Sequence, residues 1–189
     1  MGTAPFSYGD VMSDDPLISL VRTIPDFPKP GIQFRDITTL LADAKGLSEL
    51  VRRMAAVAGP LDPDLIIGVE ARGFILGAAL ACELGVGFVP VRKAGKLPGR
   101  TVGIDYVLEY GTDRLELHEG QVPGGSRVIL IDDLIATGGT ALAAAQLLRE
   151  QGADILLALF AIDLPDLGGR NALEREAVPT QAILAFEGE

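Results

Sequence analysis

Cysteine, histidine and tryptophan are nearly missing from this chain of 189 residues, which contains one cysteine, one histidine and no tryptophan. A single cysteine excludes an internal disulfide bond and, with a single histidine, leaves no side chains for a zinc site of the Cys/His type. Cys82 lies in the apolar run of residues 77–84, which predicts a buried thiol. A chain without disulfides suits a reducing compartment, so we expect a cytoplasmic protein.

Positive charge is also scarce, because 16 Lys and Arg residues face 26 Asp and Glu residues and the formal net charge is -10. Nucleic-acid-binding proteins usually carry a basic surface, so we expect no nucleic-acid partner. Every apolar run is interrupted well before the ~18 residues that cross a bilayer, and residues 1–10 lack the basic and apolar parts of a secretory signal. We therefore expect no membrane association.

Short apolar runs alternate with amphipathic helical segments along most of the chain. The pattern predicts strands at residues 65–69, 86–91, 128–131, 155–162 and 180–186, and helices at residues 15–22, 47–58, 73–84, 141–151 and 170–176. Residues 92–105 predict a long mobile loop, and residues 107–110 and 115–117 predict a hairpin. This alternation predicts an α/β fold with a mostly parallel twisted sheet and helices on both faces, formed by one domain spanning residues 1–189.

The most informative stretch is VILIDDLIATGGT, residues 128–140. Asp132 and Asp133 follow an apolar strand, at the carboxyl end where open α/β sheets bind ligands. The glycines after them allow a close backbone approach to an anion, and the N–H groups and dipole of the next helix favour its negative charge. Carboxylates at this point suit sugar hydroxyls, so the stretch predicts a sugar-phosphate pocket. The alternative is a plain strand–turn–helix connection with a capping side chain.

This stretch closely resembles the signature by which type I phosphoribosyltransferases bind 5-phosphoribosyl 1-pyrophosphate (PRPP). The resemblance extends from about Ile24 to the C-terminus and implies the fold of that family. It implies that Asp132 and Asp133 hold the ribose hydroxyls. It also implies a homodimer, and Mg²⁺ bound through PRPP and water with no direct protein ligand. The 5-phosphate would be bound by the turn residues Ala136, Thr137, Gly138, Gly139 and Thr140.

Residues 26–38, DFPKPGIQFRDIT, resemble the base-binding segment of the adenine-specific branch of the family. The resemblance implies that residues 24–38 form a hood over the base, with Phe34 beside the purine and the backbone of Gln33 and Arg35 at its edge. Stacking on a base is worth roughly 1–3 kcal/mol. The alternative is that Phe34 anchors a proline-stiffened loop to the core.

Arg72 lies in GVEARGF, residues 68–74, where a predicted strand meets a helix. Its planar guanidinium suits a phosphate or a pyrophosphate. The alternative is a surface ion pair with Glu70. The resemblance implies that Arg72 lies in the active site, near pyrophosphate and base.

Four of the 16 basic residues fall within RKAGKLPGR, residues 92–100. Cations around a leaving pyrophosphate stabilise its departure, although a solvated basic loop is the usual alternative. The segment resembles the flexible catalytic loop of the family, which implies that Arg92, Lys93 and Lys96 contact pyrophosphate. Glu109 matches the glutamate of that loop and would assist proton handling on the purine.

The resemblance implies transfer of the PRPP ribosyl phosphate to adenine, with AMP and pyrophosphate as products and purine salvage as the role. We expect Arg72, Lys93 and Glu109 to be the catalytic residues. Three alternatives remain at this stage: a transferase for another purine, a PRPP-sensing regulator without catalysis, and an α/β domain with an incidental anion site.

Overall fold

The computed structural model describes residues 15–107 and 111–188. The chain divides into two units, with the boundary after Leu47. That boundary falls within one helix, so the two units share a continuous element. The expectation of one domain with a hood at residues 24–38 stays a prediction.

The first unit is a small two-stranded structure. Its elements are α1 (Pro16–Leu20), β1 (Arg22–Pro25), β2 (Gln33–Asp36), α2 (Thr38–Ala42) and the first residues of α3 (Ala44–Ala58). The carboxylate of Asp15 accepts a hydrogen bond of 3.0 Å from the Leu17 N–H, and Pro16 occupies the first turn, which confirms the predicted helix start. Strands β1 and β2 are antiparallel, with Ile24 opposite Phe34.

The second unit contains the main sheet. After α3, its elements in chain order are β3 (Leu65–Val69), α4 (Arg72–Leu84), β4 (Gly87–Lys93), β5 (Thr101–Val107), β6 (Thr112–His118), β7 (Arg127–Ile135), α5 (Gly139–Glu150), β8 (Asp154–Asp163), α6 (Gly169–Arg175) and β9 (Thr180–Ala185). Seven strands pair in the order β5-β6-β4-β3-β7-β8-β9. Five adjacent strands, β4, β3, β7, β8 and β9, are parallel. Strands β6 and β5 extend the sheet beyond β4 with antiparallel pairing. The mostly parallel α/β sheet is therefore confirmed.

The core lies around the central strands β3 and β7. Ile66 and Ile67 are fully buried, as are Ile129 and Leu130. Successive strand residues point to opposite faces, so burial of neighbouring residues means that both faces of the sheet are covered. This dry centre holds the carboxyl ends of β3 and β7 in fixed positions.

Strand β7 corrects one boundary prediction. It runs to Ile135 and does not end at residue 131, because its pairing with β8 continues from Asp132 opposite Phe160 to Ile135 opposite Asp163. The carboxylates interrupt the apolar pattern but leave the backbone ladder intact. Asp132 and Asp133 are therefore strand residues, held by the sheet.

The predicted long loop is also wrong in its extent. Strand β4 continues to Lys93 and β5 begins at Thr101, so the connection is shorter than residues 92–105. A hairpin follows as expected, but its strands are β5 and β6, and residues 108–110 lie outside the described part of the chain. The polar pattern that suggested a loop belongs to a hairpin whose β5 strand is only partly buried.

Cys82 is exposed, so the prediction of a buried thiol is wrong. Helix α4 buries Leu76, Leu80 and Ala81 and turns Cys82 away from them. None of the described helices has the length and hydropathy needed to cross a membrane.

Candidate active site

A cavity of about 600 Å³ opens at the carboxyl end of β7. Of the predicted PRPP-binding residues, Asp132 and the complete turn from Ala136 to Thr140 line it. The other lining residues are Val107, Leu134, Ile135 and Ala141. The structure thus gathers six of the predicted residues around one space of the size of a small-molecule site.

The turn after β7 has the geometry of an anion site. Gly138 has a φ of 85°, a left-handed conformation that favours glycine, and α5 begins at the next residue. The first N–H groups of this 12-residue helix have no partners within the helix, and its dipole is positive at this end. Thr137 and Thr140 add hydroxyl groups beside them.

Gly169, at the start of α6, holds this turn in place. Its N–H donates a hydrogen bond of 2.9 Å to the Ala136 carbonyl. A Cβ atom at Gly169 would lie 2.3 Å from the Ala136 oxygen and 2.7 Å from the Gly138 nitrogen. The two glycines before Arg170 were the sequence signal for this contact, which was not anticipated as a support of the turn.

The two neighbouring aspartates differ in environment. Asp133 is buried and forms an ion pair with Arg72. Asp132 faces the cavity, and its carboxylate accepts a hydrogen bond of 2.8 Å from the Asp133 N–H. Burial and, to a smaller extent, the negative charge of Asp133 raise the pKa of Asp132 well above its ordinary value. The site therefore holds a carboxyl group whose ionised form is disfavoured until a partner is bound.

Arg72 reaches this pair because α4 begins close to the end of β7. A Cβ atom at Gly73 would lie 2.7 Å from the Ile131 carbonyl oxygen and 3.0 Å from the Asp132 carboxylate. Glycine at this position lets the start of the helix approach the strand. The Arg72 guanidinium remains about half exposed beside Asp133, so it can still meet an anion.

Glu70 organises the basic cluster at the end of β4. Its carboxylate forms an ion pair of 2.9 Å with Arg92 and accepts a hydrogen bond of 3.0 Å from the Lys93 N–H. The hydrogen bond from Arg92 is the main cause that lowers the pKa of Glu70. Arg92 also donates to the Lys96 carbonyl at 2.9 Å, which ties the loop after β4 to the strand. Glu70 thus shapes the cluster by holding Arg92 and the backbone of Lys93.

Lys93 lies at the last position of β4, and its ammonium forms an ion pair of 2.9 Å with Asp113 on β6. Neither Asp113 nor the neighbouring Tyr106 was singled out from the sequence. Tyr106 lies opposite Asp113 in the hairpin of β5 and β6. The predicted strands, residues 107–110 and 115–117, include neither residue, so the sequence did not predict this pair.

The predicted base-binding residues lie together in the first unit, on β2. The Phe34 ring meets Phe27 edge to face, with centroids 5.3 Å apart, and Phe27 is 52% exposed. Arg35 donates a hydrogen bond of 2.7 Å to the Thr23 hydroxyl across the two strands. This half-exposed aromatic pair offers an apolar surface for a planar ring. Glu109 lies outside the described residues, so its place in the site stays a prediction.

Residues 34–170 match the phosphoribosyl transferase domain family. The chain is 64% identical to the adenine phosphoribosyltransferase of Sphingopyxis alaskensis, over 92% of this chain and 94% of the relative. It is 56% identical to that of Erythrobacter litoralis, over 94% and 99% of the two chains. The chain belongs to the adenine phosphoribosyltransferase family. The resemblance in the sequence motifs is therefore confirmed.

Solved structures of the family share the fold. The adenine phosphoribosyltransferase of Thermoanaerobacter pseudethanolicus superposes with a TM-score of 0.86 at 46% identity, over 90% of this chain and 98% of that one. The enzyme of Saccharomyces cerevisiae, solved with adenine and an imino-altritol bisphosphate, gives a TM-score of 0.82 at 39% identity, over 89% and 96%. The enzyme of Trypanosoma brucei, solved with AMP, pyrophosphate and ribose-5-phosphate, gives 0.81 at 28% identity, over 93% and 81%. The expected type I fold is confirmed.

Proposed function

We propose that this protein transfers the ribosyl phosphate of PRPP to adenine and releases AMP and pyrophosphate, as an enzyme of purine salvage. The observation that carries the proposal is the cavity at the end of β7, which is lined by Asp132 and by the glycine-containing turn, in a chain of this family. The ion pair between Asp133 and Arg72 begins at the next strand residue. Adenine bound to the yeast relative and AMP with pyrophosphate bound to the trypanosomal one support the same pair of substrates and products.

The turn and the aspartates bind and orient the sugar phosphate. The 5-phosphate accepts hydrogen bonds from the N–H groups at the start of α5 and from the hydroxyls of Thr137 and Thr140. Asp132 and Asp133 accept hydrogen bonds from the ribose hydroxyls. As the bond to pyrophosphate breaks, the sugar gains positive charge, and carboxylates already oriented beside it stabilise that charge.

The cationic side chains receive the leaving group. Arg72, Arg92, Lys93 and Lys96 surround the developing negative charge of pyrophosphate, which lowers the barrier to its departure. Glu70 and Asp133 support this role by holding Arg92 and Arg72 in fixed positions. A preoriented cation does not have to reorganise when charge develops, and this is the physical advantage of the paired arrangement.

The hood segment positions the base. Phe34 packs beside the purine, the backbone at Gln33 and Arg35 reads its edge, and N9 attacks ribose C1. Glu109 assists proton handling on the purine. The Phe27 and Phe34 pair supports this proposal because it leaves aromatic surface exposed on a small, proline-stiffened unit.

Mg²⁺ is expected to enter with PRPP, bound to phosphate oxygens and water, because this ion needs few protein ligands. The cavity fits such an ion, because the Asp132 side chain at its wall can accept a hydrogen bond from water that the ion retains. Within residues 15–107 and 111–188, no group of three or more His, Cys, Asp or Glu side chains could hold a metal ion. The proposal also includes a homodimer, which rests on the family resemblance, and a cytoplasmic location, which rests on the single cysteine.

The deciding test is release of pyrophosphate from PRPP and Mg²⁺, with adenine, hypoxanthine, guanine and xanthine offered separately. We expect turnover with adenine and formation of AMP. Preference for another base would retain the phosphate site but refute the role of the hood. PRPP binding without turnover on any base would indicate a regulator.

A further inference from the structure

Lys93 is held by a carboxylate that does not belong to the predicted substrate site. Its ammonium lies 2.9 Å from Asp113, and the two side chains are 54% and 23% exposed. The hydrogen bond between them is the main cause of both shifts, raising the pKa of Lys93 and lowering that of Asp113. Lys93 thus keeps its positive charge, but an anion of the protein already neutralises it.

The hairpin register connects this ion pair to the cavity. Tyr106 on β5 lies directly opposite Asp113 on β6. The Tyr106 hydroxyl donates a hydrogen bond of 3.4 Å to the same Asp113 oxygen that pairs with Lys93. Val107, the residue after Tyr106, lines the cavity and lies opposite Thr112, the residue before Asp113. Asp113 therefore pairs with Lys93 one ladder position away from a residue that lines the cavity.

We propose that Asp113 is a positioning residue that holds the Lys93 ammonium before the diphosphate group binds and competes with that group for it. This inference rests on the proposed function. An ammonium has three N–H donors, so Lys93 can form a hydrogen bond to the diphosphate before its hydrogen bond to Asp113 breaks. The pair is partly exposed, and ion pairs of this kind are weak enough to exchange for a more highly charged anion.

The consequence concerns the product. A cation without a competing carboxylate would bind pyrophosphate more tightly, and tight product binding slows enzymes whose turnover is limited by release. Asp113 lowers the affinity for pyrophosphate while keeping Lys93 close to its position of use.

Calorimetric titration of the full-length protein with magnesium pyrophosphate tests this directly. We expect Asp113→Asn to bind pyrophosphate about two- to fivefold more tightly than the wild type, the factor corresponding to loss of one partly exposed competing ion pair. The matched control is Asp105→Asn, because Asp105 pairs with Arg114 at 3.1 Å on the same hairpin. It removes the same charge from the protein and should leave the affinity unchanged.

Steady-state kinetics give a second reading. The product-inhibition constant of pyrophosphate should fall by the same factor in Asp113→Asn, whereas the KM for adenine should not change. Asp113→Glu restores the carboxylate and should return the affinity to within about twofold of the wild type, which is within the scatter of a single exposed ion pair. If the asparagine variant does not fold, Asp113→Ser repeats the test. Asp113 accepts a hydrogen bond of 2.8 Å from the Arg114 N–H, and the serine hydroxyl keeps an acceptor oxygen near that group.

Equal or weaker pyrophosphate binding in the folded, uncharged variants would overturn the inference, because it would mean that Asp113 orients Lys93 for the ligand. Failure of the proposed function looks different. In that case the wild-type protein itself would neither bind pyrophosphate nor consume adenine.

Discussion

At the scale of single residues, Asp132 carries the clearest conflict between stability and function. The carboxylate is placed where a ribose hydroxyl is expected, yet burial and Asp133 disfavour its ionised form. An acid whose pKa is raised by folding loses stability as the pH rises from its unfolded value of 3.8 through its folded value. Ionised Asp132 therefore lowers the stability of the folded protein at neutral pH, and we expect hydrogen bonds from the ribose to offset this cost.

Asp132→Asn should remove that cost. We expect a higher melting temperature than the wild type at pH 7, with a difference that shrinks towards pH 4 as the wild-type carboxyl becomes protonated. The kcat/KM for PRPP should fall about 10- to 100-fold, because hydrogen bonds to a charged group are worth roughly 1.5–3 kcal/mol. Thermal unfolding at a series of pH values measures the change in stability. Initial rates of AMP formation at a series of PRPP concentrations measure the change in kcat/KM. A less stable variant would show that contacts within the protein already compensate the charge of the Asp132 carboxylate.

Asp36 shows the opposite electrostatics. Hydrogen bonds from Thr38 and then from Arg22 lower its pKa from 3.8 to about 2. An acid with a lowered pKa contributes stability above its unfolded pKa and loses it as the pH falls through the folded one. The contacts that Asp36 makes in the first unit should therefore weaken between about pH 4 and pH 2.

Asp36→Asn should abolish this pH dependence. Hydrogen exchange of the β1 and β2 amides is expected to accelerate in the wild type as the pH falls through that window, after correction for intrinsic rates. The variant should exchange faster than the wild type at pH 7 and show a flatter profile. Identical profiles would mean that the ion pair with Arg22 contributes nothing to the local stability.

At the scale of elements, the start of α6 supports the turn from Ala136 to Thr140, for which we propose phosphate binding. Gly169 touches the backbone of Ala136 and Gly138, so any side chain at this position must displace the turn or the helix. Gly169 follows Ala136 by 33 positions and Gly138 by 31, and it contacts both through backbone atoms.

Gly169→Ala tests this support. Overpacking of this kind costs typically 1–3 kcal/mol of unfolding free energy, and we expect the Kd for PRPP to rise as well because the turn is displaced. Gly124→Ala is the control, since a Cβ atom there would meet its nearest neighbour at 3.7 Å, an ordinary contact. Urea unfolding and PRPP titration provide the measurements. Unaltered PRPP binding by a destabilised Gly169→Ala protein would show that the turn keeps its shape without α6.

At the scale of the whole molecule, a strongly acidic chain carries a local cationic site. The net charge is -10 at pH 7 and the isoelectric point is about 4.6. Repulsion between copies is smallest where the net charge is zero.

Light scattering should therefore reach a maximum near pH 4.6 and reverse on return to pH 7. Added salt should reduce the difference between the two conditions, because screening removes the repulsion that operates at pH 7. Irreversible scattering that begins only below pH 4 would instead indicate aggregation of acid-unfolded chains.

Sequence reasoning succeeded where one local pattern carried the information. The apolar strand, the two aspartates and the turn of residues 128–140 are contiguous, so their chemistry could be interpreted without a fold. Boundaries failed where the backbone ladder overrode the side-chain pattern, as at the end of β7 and in β5. Cys82 was misplaced because an apolar run on a helix contains exposed positions as well as buried ones.

The sequence by itself determined the α/β class, the glycine-containing turn after the two aspartates and the family, because each depends on neighbouring residues or on a motif read in order. Only the tertiary structure decided that Arg72 pairs with Asp133, that Gly169 supports the turn and that Asp113 holds Lys93. These contacts join residues that are 20 to 61 positions apart in the chain. The Gly169 contact is formed by backbone atoms, which every residue possesses. Strand register and helix packing create them, and neither leaves a distinct mark in a single sequence.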